Sequence, residues 1–299
     1  MKISQILDQS ARSGCPTISF EVFPPKESAS FERVESAALE IAALNPAFLS
    51  VTYGAGGGRS RWTMELSRQI QEKSHVPVMA HLTCVSSTKK VVREKIQEIQ
   101  SLHIDNVMAL RGDIPESMQG DTRETWDYHY ATELISEIRK TAPDICIGAA
   151  CYPETHPESA SRASDLQHLR EKVDAGVDFL TTQMFFDNEL FYRFLYMARE
   201  KGIGVPIIPG IMPITSRSQI DRALRLSGSF MPQRFLSLAD RFGDQPHAMA
   251  QCGLIYAADQ IIDLMANGIP HVHVYTMNKP EVAATLISHL SAILGRKLS

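Results

Sequence analysis

A single carboxylate interrupts an apolar stretch near the start of the chain. In "ISFEVFPPK" (18–26), Glu21 sits among Ile18, Phe20, Val22 and Phe23, and Pro24 and Pro25 follow at once. Proline offers no N–H to a strand ladder, so a strand must stop here. Glu21 either faces solvent from an edge strand or is delivered into a cavity, where a carboxyl group can hold and transfer a proton. Other apolar runs also finish on polar groups. These are Thr52 and Tyr53 before "GAGGG" (54–58), His81 with Thr83, Arg111 with Asp113, Tyr152 with His156 just beyond it, Gln183, and Tyr275 with Asn278. Taken singly, each has an ordinary explanation. His81 reads as a hydrogen-bonded core histidine, "RGD" (111–113) as a salt-bridged turn, and Gln183 as a core amide bonded to backbone. Lys172, on a helix with Asp165, reads as solvated unless a phosphate is near. The glycines of 54–58 make neither a P-loop spacing nor G-x-G-x-x-G, since Ser60 and Arg61 follow, although bare backbone there can approach a ligand closely. Their common placement at strand ends singles these residues out.

The runs that must position them are "TISFEVF" (17–23), "FLSVTYG" (48–54), "PVMAHLTCV" (77–85), "NVMALRGD" (106–113), "CIGAACYP" (146–153), "FLTTQMFF" (179–186), "PIIPGIMPI" (206–214) and "HVHVYTMN" (271–278). Most are continuously apolar, as parallel strands covered on both faces require. Helical patterns alternate with them. "SFERVESAALEIAAL" (30–44) sets Phe31, Val34, Ala38 and Ile41 on one face. "SSTKKVVREKIQEIQSL" (86–102) opens with a serine cap and carries Val92, Ile96 and Ile99. "SDLQHLREKVDAGV" (164–177) opens at Ser164 and ends at Gly176. The gap 215–270 has room for at least two helices. Eight strand–helix units predict an α/β protein, a single-domain (β/α)8 TIM barrel, preceded by a short helix over about 1–14. A doubly wound open sheet is the alternative. In a barrel the strand ends collected above all lie at one mouth.

Composition narrows the function. The chain has 299 residues, is 44% hydrophobic and carries a formal net charge of −4 with no basic run, which argues against a nucleic-acid partner. Cys15, Cys84, Cys146, Cys151 and Cys252 form no C-x-x-C pair. They predict reduced, small apolar side chains and no metal site. The N-terminus lacks a signal-peptide core, and no apolar stretch approaches a membrane span, so a cytoplasmic protein without membrane contact is expected.

Eight segments together resemble the methylenetetrahydrofolate reductase family: "SFEVFPPK", "LSVTYGAGG", "AHLTC", "ALRGD", "YPETHPE", "KVDAGVDFLTTQMFFD", "IPGIMPI" and "VYTMNK". The resemblance runs in order from about residue 17 to the C-terminus. It implies a (β/α)8 barrel that holds FAD in one catalytic domain spanning 1–299. The implied activity is an oxidoreductase of CH–NH donors, reducing 5,10-methylenetetrahydrofolate to 5-methyltetrahydrofolate with NADH or NADPH in a ping-pong sequence. That reaction belongs to one-carbon metabolism and methionine synthesis, and the family's dimers or tetramers imply a homo-oligomer. Two alternatives stay open: a flavin barrel that takes electrons from a partner protein, and a pterin-binding methyltransferase barrel.

Matched residue by residue, the resemblance makes Glu21 the general acid, Asp113 the aspartate near the flavin pyrimidine edge, and Gln183 a contact of folate and nicotinamide in turn. Thr52 falls on a nicotinamide or flavin contact. Tyr53, Ala55, His81, Arg111, Gly112, Asp113, Ala131, Tyr152, His156, Ser159, Asp165, His168 and Lys172 fall on positions that cradle FAD. Arg111 and Lys172 supply charge for its diphosphate. The implied substrate positions are Glu21, Thr52, Asp113, Gln183, Gln219, Tyr275 and Lys279. The chain departs from the pattern in three places. Lys279 stands where several members have arginine, Ala223 and Leu224 stand where some have an aromatic, and Trp62 replaces a frequent arginine. The additional regulatory domain of eukaryotic members is not expected.

Overall fold

The computed structural model describes residues 1–25, 27–53, 60–114 and 126–295. Its strands are β1 (Thr17–Val22), β2 (Leu49–Val51), β3 (Val78–Thr83), β4 (Asn106–Leu110), β5 (Cys146–Cys151), β6 (Phe179–Thr182), β7 (Ile207–Ile208), β8 (Gly210–Ile211) and β9 (His271–Tyr275). All described pairings are parallel. The order is β7-β6-β5-β4-β3-β2-β1-β9-β8. The two ends of this sheet, β7 and β8, are halves of one short stretch separated by Pro209. Pro209 has no N–H to give, but its carbonyl accepts from His273 N at 2.9 Å. The next amide, Gly210 N, donates to Thr182 Oγ1 at 2.9 Å. The seventh apolar run therefore pairs with β6 before the proline and with β9 after it, and the sheet closes into a barrel through its own chain.

The helices are α1 (Ile3–Ser13), α2 (Phe31–Ala42), α3 (Ser60–Ser74), α4 (Lys89–Ser101), α5 (Ala131–Thr141), α6 (Arg162–Asp174), α7 (Asn188–Glu200), α8 (Arg217–Ser227), α9 (Gln233–Phe242), α10 (Pro246–Ala266) and α11 (Pro280–Leu290). The main core lies between strands and helices. Ile18, Phe20 and Val22 of β1 and Val272 and Val274 of β9 join Ile41, Val92, Ile96, Ile99 and Leu286 there. Two helix starts differ from the sequence expectation. The cap of α4 is Thr88, whose hydroxyl accepts from Val91 N at 3.3 Å, and Ser86 instead takes a left-handed turn with φ 56°. Helix α6 begins at Arg162 because Ser161 caps it, accepting from Ser164 N at 3.1 Å. In both cases the residue nearest the helix that can reach the third amide takes the role.

Helix α1 closes the barrel floor. Ile3 and Leu7 bury against Phe48, Met79, Met108, Cys146, Phe179 and Ile208. Ile3 N donates to Asn106 Oδ1 at 2.7 Å, which places the helix start against β4. Burial of two such side chains stabilises by roughly 3–6 kcal/mol. No described helix is long and apolar enough to cross a membrane. The cysteines form no disulfide, and Cys84, Cys146 and Cys151 are buried.

Candidate active site

Strand alternation decides which way Glu21 points. Ile18, Phe20 and Val22 take the outer face of β1, which leaves Thr17, Ser19 and Glu21 inside. On the neighbouring strand, Val272 and Val274 go outward and His271, His273 and Tyr275 inward. Glu21 is 8% exposed and lies at the C-terminal end of the barrel interior. Ser50 Oγ on β2 donates to its Oε2 at 3.5 Å, while Nε2 of His81 and of His273 lie 3.6 and 4.0 Å away. Burial pushes the Glu21 carboxyl from 4.5 up to about 8, opposed only by the Ser50 hydrogen bond. The histidines do not neutralise it. Burial takes His81 down to about 3, and it takes His273 well below its usual value, helped by His271 and His81. Tyr275 is driven well above the phenol range by burial and by Glu21, and its hydroxyl donates to Thr182 O at 2.6 Å. At neutral pH Glu21 is a protonated acid among neutral neighbours.

The strand end is held by the chain beyond β9. Thr276 Oγ1 donates to Glu21 O at 2.8 Å. Asn278 clasps Phe23, two residues on, accepting from Phe23 N at 2.7 Å and donating to Phe23 O at 2.9 Å. Pro24 and Pro25 end the ladder, and the Asn278 amide satisfies the backbone groups they strand. Asn278 does so from φ 56°, a left-handed conformation that asparagine tolerates. Gly210 admits Tyr275 to the same wall, since a Cβ there would lie 2.5 Å from both Tyr275 Oη and Thr182 O.

A second group lies beyond β4 and β5. Arg111 makes a bidentate pair with Glu158, at 2.7 and 2.6 Å, which raises the pKa of its guanidinium. Gly112 follows with φ 89° and packs on Thr83, where a Cβ would come within 2.9 Å. Asp113 is exposed. The Tyr152 ring meets His156 edge-on, with centroids 4.6 Å apart, and burial raises the phenol to about 12. Burial and the Arg111 charge lower His156. Asp165 Oδ2 accepts from His156 N at 3.1 Å, and Ser159 N donates to His156 O at 2.9 Å. Lys172 is partly buried rather than freely solvated. Its Nζ donates to Ala150 O at 2.8 Å, and burial lowers its pKa against the raising effects of Cys151 and Asp165.

The remaining expected positions scatter more. Gln219 and Lys279 meet at Thr215. Gln219 Oε1 accepts from Thr215 N and Ser216 N at 2.7 and 3.1 Å as the cap of α8, and Lys279 Nζ donates to Thr215 Oγ1 at 3.2 Å. Thr52 and Tyr53 follow β2, half-buried; Ala131 opens α5; His168 is exposed on α6. Ala55 lies outside the described residues. Trp62 packs against Phe31 with the rings tilted by 39° and centroids 5.3 Å apart, and carries Arg61 over its own ring. Ala223 is buried and Leu224 exposed.

Ser19, Ser50, His271 and His273 were not singled out from the sequence. The alternation His-Val-His-Val-Tyr over 271–275 was the available signal, because period two sends both histidines to Tyr275's face.

The mouth can take a polar ligand. His81 Nε2 and Thr181 Oγ1 are buried without a hydrogen-bond partner among the described residues. Gln183 uses its Oε1 on Met184 N at 2.9 Å and leaves its amide nitrogen without a described partner. An unmatched buried polar atom costs about 1–3 kcal/mol, which a bound donor or acceptor would recover. A flavin, with polar ring edges and a diphosphate, suits these atoms and the basic Arg111 and Lys172. Among the described residues, no group of three or more His, Cys, Asp or Glu could hold a metal ion.

The chain is similar to known proteins. Residues 5–291 match the family model described as methylenetetrahydrofolate reductase. The 5,10-methylenetetrahydrofolate reductase of Pectobacterium carotovorum is 33% identical over 266 residues, covering 89% of this chain and 87% of that protein. Methylenetetrahydrofolate reductase (NADH) 1 of Zea mays is 31% identical over 309 residues; this chain matches along its full length but spans 52% of the maize protein, about half. In structure, a Clostridium thermocellum protein that binds two copies of 5-methyl-5,6,7,8-tetrahydrofolic acid has a TM-score of 0.64 at 14% identity, over 96% of this chain and 99% of that one, which shows the shared fold. On the family match and the bacterial relative, this chain belongs to the methylenetetrahydrofolate reductase family.

Proposed function

We propose that this chain reduces 5,10-methylenetetrahydrofolate to 5-methyltetrahydrofolate, with electrons from NADH or NADPH passing through FAD at the barrel mouth in a ping-pong sequence. Glu21 carries this reading: it is a buried acid on the inner wall that keeps its proton near neutral pH. The methylene bridge of the substrate must open at N10, and a departing amine needs a proton. Glu21 supplies that proton to N10. The carboxylate left behind faces the N5 iminium and favours its positive charge. Bound FAD would carry the hydride, accepted from the nicotinamide and given to the iminium carbon.

The other residues bind and orient. Arg111, Lys172, His81, His156 and Asp165 would hold the flavin, with Thr52, Tyr53, Ala55, Gly112, Ala131, Tyr152, Ser159 and His168 completing its cradle. Asp113, exposed at the mouth, would disfavour negative charge on a ring beside it and attract the pterin. Gln183, whose amide nitrogen has no partner among the described residues, would offer it to folate and nicotinamide in turn. Tyr275 walls the site beside Glu21. Gln219 and Lys279 would receive the folate tail, Lys279 as a point charge where arginine would pair bidentately. Family membership and the barrel's likeness to a folate-binding protein support this reading. A cytoplasmic homo-oligomer, with 1–299 as one catalytic domain, completes it.

Separate half-reactions test the assignment. The purified protein should be yellow or bind added FAD, and anaerobic NADH should bleach the flavin. Glu21→Gln should leave that bleaching near normal and nearly abolish reoxidation by methylenetetrahydrofolate. A protein that binds no FAD, or equal loss in both halves, refutes the reading. Bleaching only by a partner protein would replace the nicotinamide as donor.

A further inference from the structure

The polar groups inside the barrel do not stop at Glu21. Ser50 Oγ, which donates to Glu21, lies 3.1 Å from His273 Nε2. His273 Nδ1 lies 2.7 Å from Ser19 Oγ, and Ser19 Oγ lies 3.0 Å from His271 Nε2. His271 Nδ1 is hydrogen-bonded to Thr17 Oγ1. Thr17 lines a cavity of about 640 Å³ on the N-terminal face, whose walls include the exposed Gln9, Ser13, Cys15, His103 and Asp105. One unbroken series of hydrogen bonds runs from that face, through the barrel, to the acid at the opposite end.

Barrel interiors are ordinarily filled by bulky branched apolar side chains. Here β1, β2 and β9 commit three hydroxyls and two imidazoles to it, groups that are costly to bury unless every one is bonded. Phe48 stacks on both imidazoles, at 5.3 and 5.6 Å, and holds them in register. The series also has a consistent direction. With both histidines protonated at Nε2, Thr17 donates to His271, His271 to Ser19, Ser19 to His273, His273 to Ser50, and Ser50 to Glu21. Ser19 and Ser50 then each accept once and donate once, and Thr17 donates to His271 in place of its longer contact with Ser10 Oγ.

We propose that Thr17, His271, Ser19, His273 and Ser50 form a proton relay that recharges Glu21 from the N-terminal face. This rests on the proposed reduction, in which Glu21 loses a proton each turnover while folate covers the mouth above it. Water in the cavity gives a proton to Thr17 as the Thr17 proton passes to His271 Nδ1. His271 releases its Nε2 proton to Ser19, the hop repeats through His273 and Ser50, and the Ser50 proton arrives on Glu21 Oε2. One proton enters, one is delivered, and every relay residue ends neutral. Hydroxyl rotation and return of each imidazole from its Nδ1–H to its Nε2–H tautomer by proton exchange restore the starting order. His81 and Tyr275 also flank Glu21, but among the described residues no hydrogen bond joins either of them to the cavity. The relay residues act through Glu21 and touch no substrate.

A pH-jump experiment with time-resolved infrared detection tests this without turnover. The carbonyl stretch of protonated Glu21 is identified by its loss in Glu21→Gln, and its rise is followed after a jump from pH 9.5 to pH 7, with and without saturating 5-methyltetrahydrofolate. With that folate present, His271→Gln and Thr17→Val should each slow the rise at least tenfold, while leaving its final amplitude and titration midpoint in place. Thr17→Val, nearly isosteric and at the entrance, keeps the test valid if His271→Gln does not fold. An unchanged rate in Thr17→Val, or a shifted midpoint without a slower rise, overturns the relay. A wild-type protein that never reduces methylenetetrahydrofolate would instead sink the functional reading, while the infrared rates still judge the relay.

Discussion

Titration of Glu21 should be visible in stability as well as in catalysis. A carboxyl at 4.5 in the unfolded chain and about 8 in the folded one binds its proton more tightly when folded. The folded state therefore holds more protons between those values, and stability falls as pH rises through that window. The contribution is fully present below 4.5 and gone above about 8, and the shift corresponds to about 5 kcal/mol. Its neighbours leave the window clear: His81 titrates near 3, and His273 and Tyr275 are displaced well below and well above it. Glutamine keeps the shape of the protonated acid but cannot ionise. Urea unfolding of wild type and Glu21→Gln at matched pH from 5 to 8.5 isolates this one group. The stability of Glu21→Gln relative to wild type should rise by about 1.4 kcal/mol per pH unit and level off above about 8. In the same range, reoxidation of the flavin by methylenetetrahydrofolate should decline with an apparent pKa near 8, while its reduction by NADH should not follow that curve. A stability difference independent of pH would show that Glu21 titrates like an exposed carboxylate, and the general-acid assignment would lose its physical basis.

Three further outcomes follow from the same geometry. Gly210→Ala would force a Cβ to within 2.5 Å of Thr182 O and Tyr275 Oη; it should destabilise by about 1–3 kcal/mol, read as a lower urea midpoint at unchanged m. Asn278→Ala strands the Phe23 N–H and C=O, so it should cost about 1–3 kcal/mol and slow the folate half-reaction more than flavin reduction. Arg111→Lys removes the fork that pairs with Glu158. FAD should dissociate roughly tenfold more readily, measured by fluorescence on dilution, with little change in stability because the pair is partly exposed.

The sequence made the barrel legible because its outer strand faces are relentlessly apolar, and the strand ends then located the mouth by topology alone. The inner face was harder to read. "TISFEVF" and "HVHVYTMN" register as apolar runs because Ile, Phe and Val occur at every other position, so the alternating Ser, Glu and His residues look like interruptions. A closed barrel was legible but the manner of its closure was not, since nothing in "PIIPGIMPI" announces that Pro209 divides one stretch between two partners. For the site, Glu21 could be found from its neighbours, but its environment could not. The polar groups nearest it, Ser50, His81 and His273, are 29, 60 and 252 residues away, and only β1's pairing with β2 and β9 brings Ser50 and His273 to the same wall. What the fold adds is the difference between a lone acid and a poised one. The same pairing gives Glu21 a desolvated pocket that holds its proton and a polar path that can replace it. Substitutions of His271 and His273 should therefore alter the recovery of the acid more than the binding of either substrate.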